Sequence, residues 1–141
     1  QNGLSMAELS PETIGKLKPI FPAWEIRGNP FDLGVCREFH PPELTYSLLL
    51  DSVVSDENVD CVAVQLSAPG WASAEDITTP FCRVAEKGKP IAAWLAMAPG
   101  KANIITEKVE AKHIPVYTSA EAAIKGLSAL YKYKVMQEQK V

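Results

Sequence analysis

The sequence predicts a doubly wound α/β domain, a parallel sheet with helices on both faces. Three observations carry this expectation. Short, continuous apolar runs at 60–66, 90–96 and 114–117 have the length and composition of strands covered on both sides. Longer amphipathic stretches separate them, two opening on serine or threonine with capping-box spacing. Strands that alternate with helices imply right-handed β-α-β crossovers and hence a parallel sheet.

Along the chain, Leu4–Leu9 alternates with period 2 and reads as a short, half-exposed first strand. Ser10, Pro11 and Glu12 then supply a capping oxygen, a proline at the first helical position and an early acid. Pro19 and Pro22 end that brief helix. Residues 27–42 show no sustained period, and loops this long in compact domains are often functional. After Pro41 and Pro42, the spacing of Leu44, Leu48, Val53 and Val54 predicts a helix to about Ser55. Asp60–Leu66 is the second strand. Ser73 and Asp76 have capping-box spacing, with aspartate in the glutamate's place, and open a helix to Glu86–Gly88. Pro80 inside it either kinks the helix or delays its start.

Pro90–Ala96 is the third strand. Ala102–His113 is an amphipathic helix, with Ile105, Val109 and Lys112 at helical spacing and a basic last turn. Ile114–Tyr117 is the fourth strand. Thr118 and Glu121 repeat the capping-box spacing before a last helix carrying Ala123, Leu127, Leu130 and Tyr131 on one face. The domain is expected to span residues 1–135, and the polar tail 136–141 to fray. Four strands is few for this class, and the chain enters directly in a strand. A first strand–helix unit is therefore expected upstream.

Composition narrows the function classes. A chain of 141 residues, 47% hydrophobic and 22% charged, suits one globular domain. Fourteen basic and seventeen acidic residues give a net charge of −3, with no basic surplus for a phosphate backbone. No nucleic-acid partner is expected. No apolar run approaches the ~18 residues of a membrane span, and the amino terminus lacks a signal-peptide pattern. Cys36, Cys61 and Cys82 are odd in number and lack CxxC spacing, as expected of reduced, mostly buried thiols in a cytoplasmic protein.

In open parallel sheets, ligands sit beyond the carboxyl ends of the strands. Two loops with matching character should lie there. One is the anion loop of Ser67, Ala68, Pro69, Gly70, Trp71 and Ser73; the other is Met97, Ala98, Pro99, Gly100 and Lys101. Their glycines permit close backbone approach, and the helix behind each offers N–H groups and a positive dipole end. The same small residues are also what any β-to-α turn requires, so spacing alone leaves both readings open. Asn29 and Asp32, in Gly28-Asn-Pro-Phe-Asp-Leu33, form a rigid turn bracket that could position a neighbouring loop or domain. His40 and His113 lack catalytic company, and no clustered Cys/His pattern suggests a metal. Walker, GxGxxG and GxSxG patterns are absent, so the chain holds no self-sufficient active site.

Several segments occur in a distinctive order: Gly3–Thr13, Gly28–Leu33, Asn58–Val64, Gly88–Trp94, His113–Tyr117 and the closing Ala-rich helix. Together they resemble the last flavodoxin-like domain of the nucleoside-diphosphate-forming acyl-CoA synthetases. That domain is similar to the carboxy-terminal domain of the succinyl-CoA synthetase β subunit. The resemblance implies a flavodoxin-like, doubly wound parallel sheet in three layers, α/β/α, without its first βα unit. It implies an acid–CoA ligase that couples a carboxylic acid, CoA and a nucleoside triphosphate through an acyl phosphate and a phosphohistidine. The partners it implies are CoA-binding, phosphohistidine and ATP-grasp domains, with CoA, ATP and Mg bound in the full enzyme and none by these residues. A homo-oligomer is compatible with it.

The family's phosphohistidine sits in a Ser-His-Thr-Gly context, which is absent here, so His40 and His113 do not inherit the role and the chain alone is expected to be inactive. Ser67-Ala-Pro-Gly70 stands where the succinyl enzyme has paired glycines, a departure that weighs against direct phosphate contact. Met97 and Pro99 make the second loop more apolar, which suits a less polar acid. An alternative from another class is a noncatalytic assembly or regulatory module, such as the synthetase-like part of a protein acetyltransferase fusion. A free-standing flavin or phosphoacceptor protein has no acidic cluster to support it.

Overall fold

The computed structural model describes residues 3–24, 28–97 and 99–139. At its centre, three parallel strands lie in the order β1 (Val62–Leu66), β2 (Ile91–Leu95) and β3 (Val116–Tyr117). Val62 is level with Ile91 and Leu66 with Leu95, while Ala93 is level with Val116. The helices are α1 (Pro11–Leu17), α2 (Leu33–Arg37), α3 (Pro42–Ser55), α4 (Ala74–Ala85), α5 (Pro99–Glu110) and α6 (Ala120–Glu138). A 3₁₀ turn at Lys18–Ile20 follows α1.

Strand alternation sorts the side chains onto two faces. Val64, Leu66, Ile91 and Ala93 pack with Tyr46 and Leu50 of α3, Ile77 and Phe81 of α4, and Ile105 and Val109 of α5. Ala63, Ala92 and Trp94 pack on the other side with Ala123 and Leu127 of α6. The layering is therefore α/β/α, as the apolar runs imply. A smaller cluster of Leu17, Ile20, Phe21, Cys36 and Leu49 fastens α1 and α2 to α3. Asp51 joins α3 to α4 by pairing with Arg83 and, at 3.2 Å, with Lys87.

Among the described residues the sheet has three strands, not four. Residues 4–9 belong to no strand. Asn29 Nδ2 donates to the Ala7 carbonyl and Asn58 Nδ2 to the Glu8 carbonyl, each at 3.0 Å. Period-2 alternation reports which face is buried, but a strand exists only where a neighbour completes its ladder. Here side-chain amides take those acceptors instead.

Other boundaries move for local reasons. Within the 27–42 loop, Asp32 Oδ1 accepts the Gly34 N–H at 2.8 Å and caps α2, which is too short to show a period. A Cβ on Gly34 would stand 2.9 Å from that same oxygen, so glycine keeps the cap accessible. Pro80 lies inside α4, which begins at Ala74, so the proline does not delay the helix. Proline suits a first helical position, and α5 begins at Pro99 rather than Ala102. The cap of α6 is Ser119, whose Oγ accepts the Ala122 N–H at 3.2 Å, one residue later than the Thr118 spacing predicts. α6 continues to Glu138, where Tyr133–Gln137 and Lys134–Glu138 pairs span one turn.

His113 follows α5 with φ of 62°, and the Ile114 N–H reaches back to the Val109 carbonyl at 3.4 Å. This left-handed position favours glycine. His113→Gly is expected to raise the free energy of unfolding by about 0.5–1 kcal/mol in urea denaturation. A loss would show that the imidazole's interaction with the helix end outweighs its backbone strain.

Candidate functional site

The loops after β1 and β2 emerge at the same end of the parallel sheet, because the strands run in one direction. Lys101, in the first turn of α5, joins them. Its Nζ donates to the Gly70 carbonyl at 2.7 Å and to the Ala72 carbonyl. The two predicted loops are thus one surface. Replacing Lys101 by methionine keeps the aliphatic stem and removes both charge-assisted bonds. The expected cost is about 1–3 kcal/mol, with faster amide exchange at residues 70–72. Unchanged exchange there would show that the tie does not order the loop.

The start of the first loop is held from below. Tyr46 Oη accepts the Ser67 N–H at 3.1 Å and lies 2.9 Å from the Gln65 carbonyl, to which it donates. Arg37 Nη1 donates to the Ser67 carbonyl at 3.2 Å and to Ser67 Oγ, while its Nε donates to the Leu33 carbonyl at 3.3 Å. Asp32 caps the helix that carries Arg37. Asn29 instead ties back to Ala7. Arg37 was not legible as a site residue: an arginine in a last helical turn has no sequence mark for its target.

The two helix ends differ electrostatically. At α4, Ser73 and Asp76 form a complete capping box: the Ser73 N–H meets Asp76 Oδ2 at 2.7 Å, and the Asp76 N–H meets Ser73 Oγ at 3.1 Å. Glu75 stands in the same turn, and the hydrogen bond from Lys108 holds its carboxyl below the ordinary range, so it is charged. Two carboxylates already occupy the positive end of α4. The first turn of α5 contains no acid and carries Lys101.

Exposure separates the loop residues further. Trp71 is 71% exposed, and a Cβ added at Gly70 or Gly100 would meet nothing within 4 Å, so open space lies over both glycines. Met97 packs against the main core, as does Ala68. Ala98 lies outside the described residues, and Pro99 opens α5.

Neither histidine joins the loops: His40 follows α2, its N–H donating to the Cys36 carbonyl at 3.0 Å, and His113 follows α5. Burial, with Asp60 beside it, raises the Cys61 thiol, which makes it a poor nucleophile. Among the described residues, no group of three His, Cys, Asp or Glu side chains could hold a metal ion, and no helix is long and apolar enough to cross a membrane.

A three-layer parallel sheet with joined β-to-α loops defines a flavodoxin-like α/β domain. Its fold is similar to part of PH0766 from Pyrococcus horikoshii OT3, whose crystal structure matches with a TM-score of 0.76 at 23% identity, over 92% of this chain and 30% of that one. No family model matches the chain. In sequence it is 29% identical over 133 residues to Acetate–CoA ligase (ADP-forming) II of Archaeoglobus fulgidus. The alignment covers 93% of this chain and 19% of that protein's length. The match therefore extends over nearly the whole of this chain and about a fifth of that ligase's length.

Proposed function

We propose that this chain is a domain of an ADP-forming acid–CoA ligase, and that its joined loops present an anion-binding surface to sister domains. The overall reaction would join a carboxylic acid to CoA, converting a nucleoside triphosphate to the diphosphate and phosphate through an acyl phosphate. CoA, ATP, Mg and the phosphohistidine belong to the CoA-binding, ATP-grasp and phosphohistidine domains, in a cytoplasmic assembly. The observation that supports a role for this chain is the start of α5, with no acid in its first turn, a lysine beside it and open space over Gly100. Such an end suits a substrate carboxylate. The α4 end, with Glu75 and Asp76, suits a doubly charged phosphate less well.

Gly100→Glu in the intact ligase tests this. The new side chain enters open space, so the fold is retained while a carboxylate occupies the anion site. The KM for the acid is expected to rise at least about tenfold, some 1.4 kcal/mol. An unchanged KM would sink the reading. Acyl-CoA formation by residues 1–141 alone would sink it equally. The acids on α4 favour a second reading, a noncatalytic assembly module; an intact protein that forms no thioester from any acid would select it.

A further inference from the structure

We infer that the amino end of the sheet holds a second binding site, for a small organic anion with an apolar body. A cleft of about 480 Å³ opens there, between the starts of β2 and β3 and the flank of α6. Its size falls within the ~300–1,000 Å³ usual for sites that take small organic molecules. Pro90 and Leu127 line it together with Leu130, which is 49% exposed. A large aliphatic side chain half open to water inside a concavity gains by being covered.

Three polar side chains line the same cleft, those of Lys112, His113 and Tyr117, and none has a partner among the described residues. Lys112 supplies a charge, and the other two supply N–H and O–H donors. Gly126 makes room for the Tyr117 hydroxyl, because a Cβ there would collide with it. Among the described residues, His113 is the one non-glycine with positive φ, and such a costly conformation marks sites where position matters more than strain. Two further charged groups at this end are already engaged: Lys89 Nζ donates to the Asp56 carbonyl, and Glu110 Oε1 accepts the Val116 N–H at 3.2 Å. The carboxyl ends of α4 and α5 also turn this way, because each helix leads into a strand of the parallel sheet. Their negative dipole ends repel a bare anion. Lys112 and His113 therefore hold a carboxylate only when burial of an apolar body adds to the attraction, which selects an organic acid over inorganic phosphate. The cleft lies at the opposite end of the sheet from Gly70 and Lys101, so the site does not depend on the proposed ligase role.

Octanoate titrated into the intact protein, with its leucine methyl groups labelled for nuclear magnetic resonance, tests the inference. The Leu127 and Leu130 methyl signals are expected to shift and saturate; a carboxylate bound at the Gly100 loop would leave them unmoved. 1-Octanol has the body without the charge, and acetate the charge without the body. Each is expected to bind at least about tenfold more weakly. Lys112 is exposed, so Lys112→Glu keeps the fold, and it is expected to weaken octanoate at least about tenfold. His113→Gly is expected to weaken it about threefold while making the fold more stable. No saturable shift at the two leucines would overturn the site. Octanol or acetate binding as tightly as octanoate, or either variant binding it at full strength, would overturn the assignment of the ligand.

Discussion

Replacing Phe81 with alanine is expected to lower the free energy of unfolding by about 3–5 kcal/mol. Its ring is fully buried, on the face of α4 that meets the sheet. The Tyr46 ring lies beside it, with centroids 5.4 Å apart and planes inclined at 57°. Such tilted pairs add about 0.5–1.5 kcal/mol beyond the area they bury. Truncation removes the ring and leaves a space bounded by α3, α4 and the sheet, which are held by one another and relax only in part. The same Tyr46 carries the hydroxyl that fixes Ser67, so the first loop should loosen along with the core. Urea denaturation measures the loss. A change under about 1.5 kcal/mol would mean that the cluster collapses into the gap, and that α3 and α4 are less firmly packed than their contacts indicate.

The second large effect lies at Asp56, at the junction between the amino-terminal segment and the carboxyl end of α3. Its side chain is buried, with the residue 4% exposed, and its oxygens accept the Ser10 N–H at 2.9 Å and the Asn58 N–H at 3.0 Å. Burial pushes its pKa up, but the Thr13 hydroxyl and the Asn58 and Ser10 groups outweigh that and hold it at about 2, below the ordinary 3.8. Asp56→Ala leaves these donors unpaired, at an expected cost of about 2–3 kcal/mol at neutral pH.

The pH dependence follows from the sign of the shift. Because the folded state binds this proton more weakly than the unfolded chain, the carboxylate stabilises the fold fully above pH 3.8. Its contribution falls away as the pH drops through about 2. Urea titrations of wild type and Asp56→Ala between pH 5 and 1.5 should converge across that interval. A stability difference that stays constant down to pH 2 would contradict the depressed pKa.

Much of the architecture was legible because its causes are local. Val62–Leu66 and Ile91–Leu95 are short, mostly apolar runs of strand length, and Ser73 with Asp76 spells its capping box in four residues. The two loops were legible for the same reason, since each glycine-bearing turn lies between a strand and a helix. Leu4–Leu9 shows where local pattern stops: alternation is a property of one segment, whereas strand pairing requires a second. Likewise, Asp32 announced a turn but not the five-residue helix it caps.

By itself, the sequence determined the fold class, the order of the elements and the family resemblance, because period, capping chemistry and motif order are written along the chain. Only the tertiary structure decided that Lys101 binds the two loops together, that Arg37 reaches Ser67 and that Met97 packs against the core. It also showed that the Ser73–Asp76 capping box and Glu75 occupy the start of α4, while no acid enters the first turn of α5. Lys101 and Gly70 are 31 positions apart in sequence. Charges and hydrogen bonds act over a few ångströms of space, so their consequences appear only once the sheet has brought such residues together.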